Sequence, residues 1–98
     1  MADPSLLADI DPQLAPDSPC WLLDVDALER NLLLLGRVQR EAQCKVLLAL
    51  KGFATWSVFD QVDRHLSGAS VSSPHEAMLA HEHFQGELHA YAPAYSEQ

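Results

Sequence analysis

"KVLLALKGFATW", residues 45–56, decides the fold. Val46 to Leu50 run apolar without a polar break, and the run ends on an amine, Lys51, followed by Gly52 and Phe53. A stretch apolar at every position is the pattern of a parallel strand covered on both faces. An ammonium is costly to desolvate. Lys51 therefore either marks where the strand meets water or stands at the mouth of a core where an amine is wanted. Side chains alternate along a strand, so Ala49 and Lys51 point to the same face.

Outward from this strand, helical and extended patterns alternate. "TWSVFDQVDRHL", 55–66, places Trp56, Phe59, Val62 and Leu66 at helical spacing, with Gly68 where a C-terminal cap would fall. "ASVS" is a second short strand. "SPHEAMLAHEHF" opens with Ser73 as N-cap, Pro74 at the first helical position and Glu76 three after the cap, a capping-box pattern that Gly86 ends. "ELHAY" is a third strand. Upstream, "DVDALERNLLLLGRVQREAQ" predicts an amphipathic helix through Val25, Leu28, Leu32, Leu35 and Val38, starting near Asp24 or Asp26. Leu33 and Leu34 widen its stripe, which predicts packing on more than one neighbour. Residues 1–23 read as an extended, proline-bearing lead-in that ends in a short strand, "CWLL", 20–23.

Strand, helix, strand, helix, strand is the rhythm of a parallel α/β sheet. Three strands do not complete it. A closed (β/α)8 barrel needs eight strands and roughly 250 residues. Residues 24–98 are therefore expected to be the beginning of a parallel (β/α)8 TIM-type barrel, incomplete in this chain.

The 98 residues carry a net charge of −8, and 48% of them are hydrophobic. That composition is globular. It has no Lys/Arg cluster to neutralise phosphates, so no nucleic-acid partner is expected. Cys20 and Cys44, without CxxC spacing or a secretory leader, read as reduced thiols. With no basic leader or long apolar span, the expectation is a cytoplasmic protein with no membrane partner.

Three features bear on chemistry. Lys51, above the small Ala49 at the end of a strand, is where a barrel places its active site, and a lysine there can condense with an aldehyde. "HEAMLAHEH" crowds His75, Glu76, His81, Glu82 and His83 onto one helix. HExxH spacing would need a histidine at position 79, which is Leu79, so no metal site is expected. Glu76 can serve the capping box, and it can also reach the mouth that Lys51 occupies.

"PCWLLDVDALERNL", "CKVLLALKGFATWSVF" and "LSGASVSSPHEAMLAHEHFQGELHAYAPAY" together resemble the N-terminal part of carboxynorspermidine/carboxyspermidine decarboxylases. These belong to the alanine-racemase-like, fold type III group of pyridoxal-phosphate enzymes. The resemblance spans about residues 19–95 and implies a cofactor, pyridoxal 5'-phosphate, bound through Lys51, with Ala49 and Glu76 beside it. It implies release of CO2 from a small-molecule polyamine precursor, giving norspermidine or spermidine, by a homodimer. Ser70 stands where ornithine decarboxylases carry an aspartate near the cofactor. The family's cofactor-stacking histidine, glycine-rich phosphate loop, acid pairing with the pyridine nitrogen and C-terminal β-domain would fall beyond Gln98. The chain is accordingly expected to be an N-terminal piece, inactive alone. Two other readings stay open on the residues: a non-catalytic pyridoxal-phosphate-binding barrel protein, and a small acidic interaction domain with Lys51 merely solvated.

Overall fold

The computed structural model describes residues 10–14 and 16–96. Helix α1, Val25–Ala42, is capped by Asp24, whose carboxylate accepts the Ala27 amide at 3.0 Å. It ends at Gln43 in the left-handed region, φ 52°. Strand β1, Leu47–Ala49, follows; then come a 3-10 turn at Trp56–Val58 and a short helix α2, Phe59–Asp63. Strand β2 is Gly68–Val71, helix α3 is Pro74–His83, and strand β3 is Glu87–Ala90. The sheet order is β1-β2-β3, parallel throughout. Leu47 lies beside Gly68 and Gly68 beside Glu87; one pleat on, Ala49, Ser70 and His89 form a row.

This register sorts the two faces of the sheet. Leu50, Ala69 and Val71 are buried with Phe59, Val62, Leu66, Ala80, Phe84 and Leu32, so this face is the one the helices cover. Phe59, 0% exposed, is the centre; its ring lies 4.9 Å from that of Phe84. Burying such a side chain contributes about 2–3 kcal/mol. Ala49 and Lys51 lie on the opposite, open face, together with Ser70. The cover expected on both faces of β1 is therefore present on one side only among the described residues.

A polar hub ties these pieces together. The Gln39 side-chain carbonyl accepts from the Val46 amide at 2.7 Å and from the Ser67 amide and hydroxyl at 3.1 and 2.6 Å. Its amide nitrogen donates to the His65 carbonyl at 2.9 Å. Half-buried backbone groups at the starts of β1 and β2 are thus satisfied by one α1 side chain. Asp63 does the same for the turn into β3, accepting the Gln85 and Gly86 amides.

Several sequence expectations are corrected. No strand forms at 20–23: these residues are exposed and unpaired, because no neighbouring strand among the described residues offers them a ladder. The first nine residues and residue 15 of the lead-in lie outside the described residues. The second helix is shorter than its periodicity, with a 3-10 entry, and Trp56 is 60% exposed rather than part of the stripe. Gly68 opens β2 rather than capping a helix. α1 buries Leu32 and Gly36, while Val25, Leu33, Leu34, Leu35 and Val38 stay substantially exposed.

Candidate functional site

The sequence contains two lysines, and both bracket β1. Lys45, before the strand, is tied: its ammonium donates to Glu87 Oε1 at 2.5 Å on the far strand of the sheet. Lys51 lies just past the C-terminal end, exposed, and makes no ion pair among the described residues. The chain turns sharply there, since the Gly52 and Phe53 amides both return to the Ala49 carbonyl at 3.0 and 3.3 Å. The Leu50 amide donates to the Ser70 carbonyl, which anchors the start of that turn to β2.

Lys51 borders an open recess of about 200 Å³ formed by the C-terminal ends of all three strands. Ala49 and Ser70 lie with it there, and Val71, Ser72 and Tyr91 complete the lining. A larger hollow, about 370 Å³, lies between the start of α3 and residues 90–96. Its walls are mostly alanine, serine and tyrosine and hold no amine or carboxylate, so the smaller recess is where an amine can do chemistry.

Glu76 is near this mouth but does not line it. Ser73 caps α3 by accepting the Glu76 amide at 3.1 Å, as the spacing predicts. The return bond differs from a capping box. The Glu76 carboxylate takes the Ser72 amide at 2.6 Å and the Ser72 hydroxyl at 2.8 Å, one residue ahead of the cap. These two bonds, the amide first, hold its pKa below the ordinary carboxylate value, and the charge of Lys51 adds to the same effect. Glu76 thus reaches the recess through Ser72, whose hydroxyl it orients.

The structure therefore brings Ala49 and Lys51 into one recess and places Glu76 one hydrogen bond behind it. Sequence reading missed Ser72 and Tyr91. Alternation past the strand ends was the available signal, since 70 and 72, and 89 and 91, share a face. The helical histidines stay apart: among the described residues no cluster of three His, Cys, Asp or Glu is placed to hold a metal. No helix among them is long and apolar enough to cross a membrane.

No family model matches the chain. It is 46% identical over 80 residues to the carboxynorspermidine/carboxyspermidine decarboxylase of Herminiimonas arsenicoxydans, covering 82% of this chain and 22% of that protein. It is 47% identical over 78 residues to the carboxyaminopropylagmatine decarboxylase of Synechocystis sp., covering 80% and 20%. The crystal structure of carboxynorspermidine decarboxylase from Campylobacter jejuni, complexed with norspermidine, superposes with a TM-score of 0.71 at 42% identity, covering 74% and 20%. The chain spans about a fifth of the length of the relatives it matches.

Proposed function

We propose, on the premise that this chain belongs with the carboxynorspermidine/carboxyspermidine decarboxylases it matches over about a fifth of their length, that it forms the lysine-bearing part of a pyridoxal-phosphate-dependent decarboxylase. The fold reading is that the three parallel strands are the first of a (β/α)8 barrel, working as a homodimer in the cytoplasm. The substrate is a carboxylated polyamine precursor, and the products are the polyamine and CO2.

The observation that carries this reading is the Lys51 amine, without an ion pair among the described residues, at the C-terminal end of β1 beside the small side chains of Ala49 and Ser70. An aromatic aldehyde fits there. Ala49 and Ser70 leave open the space that larger side chains would fill, and among the described residues Lys51 has no carboxylate partner to displace. When bound, pyridoxal phosphate supplies the electron sink for the pair left behind by the departing carboxylate.

The chain's own residues do the rest. Lys51 Nζ is the group that would hold the cofactor's aldehyde, with Ala49 and Ser70 beside it, and as a free amine it could carry a proton. The ionised Glu76 carboxylate, held by Ser72, supplies negative charge beside that amine and keeps the Ser72 hydroxyl aimed. By itself the 98-residue chain is not proposed to turn over, because it spans only about a fifth of its relatives.

The test is chemical trapping in the full-length protein. Borohydride reduction in the presence of pyridoxal phosphate, followed by peptide mapping, is expected to place the label on Lys51. Lys51→Ala should lower kcat/KM by about a thousandfold or more. A label on another residue, or near-normal turnover in that variant, would remove the reading.

A further inference from the structure

Tyr91 stands on the recess wall opposite the amine, and nothing in the proposed chemistry has used it. It follows β3 directly, and its amide donates to the Val71 carbonyl at 2.9 Å, so the parallel ladder sets where its side chain begins. By alternation it continues the face that carries His89, whose row neighbours are Ser70 and Ala49. Lys51 is two residues beyond Ala49, and Tyr91 is two beyond His89. The amine and the phenol ring thus enter one recess from just past the ends of the two outer strands. Between them the end of β2 and the residue after it contribute Ser70, Val71 and Ser72 to the lining.

Neighbouring strands are about 4.8 Å apart, so the two backbones are about 10 Å apart across β2. That gap, floored by small side chains, suits a flat ring held at one edge by the amine. Tyr91 also borders the larger hollow, together with Val71 and Ser72, so it is part of the wall that divides the two. Its side chain is exposed and lines both spaces.

We propose that Tyr91 is a further cofactor-contacting residue of the Lys51 site: its ring walls the side of the recess opposite the amine and packs against the aromatic aldehyde held there. This rests on the function proposed above. An aromatic ring gains from offset or edge contact with another ring beyond simple area burial, and the effect belongs to the ring rather than to the hydroxyl.

The experiment titrates pyridoxal phosphate into the full-length apoprotein, following the visible absorbance of the lysine-bound form and its induced circular dichroism. Tyr91→Ala is expected to weaken binding about tenfold and to diminish the induced signal. Tyr91→Phe should stay within about threefold of the unaltered protein, because the ring remains. If Tyr91→Ala does not fold, Tyr91→Leu, which keeps bulk without the flat face, is read by the same criterion. Binding by the Ala or Leu variant within about twofold of the unaltered protein would overturn the assignment, as would a Phe variant as weak as the Ala variant. Absence of lysine-bound cofactor in the unaltered protein would overturn the proposed function and this assignment together. A loss confined to the Tyr91 variants leaves the Lys51 reading standing.

Discussion

Gly68 begins β2 at φ +156°, and a methyl group built on it would lie 1.8 Å from the Glu87 carbonyl oxygen. Both the backbone angle and the approach of β3 demand a glycine there. Its position decides more than local strain, because β3 carries Tyr91 to the recess and Glu87 to Lys45. Gly68→Ala is expected to cost about 3 kcal/mol or more, read as a lower urea midpoint for the full-length protein. A midpoint unchanged from the parent would contradict the close β2–β3 approach. Glu76 is the complementary case. Its spacing from Ser73 announced the cap, but the partner of its carboxylate, Ser72, depends on how the chain turns out of β2.

At the scale of the element, α3 shows how local chemistry starts a helix. Ser73 accepts the Glu76 amide, Pro74 gives up no hydrogen bond at the first position, and Glu76 places a negative charge in the first turn. Ser73→Ala is expected to destabilise by about 1 kcal/mol, visible as a lower thermal midpoint, with Ser73→Asp restoring most of it. If Asp does no better than Ala, the hydroxyl contributes nothing as a cap. α1 behaves differently. Its period was plain in the sequence, but the side that packs was not. Leu32 and Gly36 are buried, and Leu33, Leu34 and Leu35 are exposed, although all four leucines are equally apolar. Orientation was set by the Gln39 hub and by the Glu29 carboxylate, which meets Gln61 at 2.6 Å and His65 at 2.7 Å.

Over the whole molecule, three carboxylates are held below their ordinary pKa of 4.5, Glu29 and Glu87 by contacts between distant segments and Glu76 by the turn that leads into its own helix. Glu29 is lowered chiefly by its hydrogen bond from Gln61, Glu76 by the Ser72 amide, and Glu87 by Lys45. A carboxylate with a folded pKa below its unfolded one contributes stability that is complete above the unfolded value and is lost as pH falls through the folded one. The thermal midpoint should therefore be level above about pH 5.5 and fall as the solution is acidified below 4.5. Glu87→Gln should flatten part of that fall. A midpoint that rises on acidification would show that these contacts do not stabilise the fold.

The sequence by itself determined the order of elements from residue 45 on, the cap of α3 and the shared face of Ala49 and Lys51. Each follows from chain-local sterics, hydrogen-bonding groups and the alternation of a strand. Only the tertiary structure decided that, among the described residues, Lys45 is tied while Lys51 has no ion pair and 20–23 has no strand partner, and that Ser72 and Tyr91 join the recess. Those outcomes depend on which strand lies beside which and in what register. Register is fixed by packing between residues distant in the chain, such as Gly68 against Glu87 and Phe59 against Phe84.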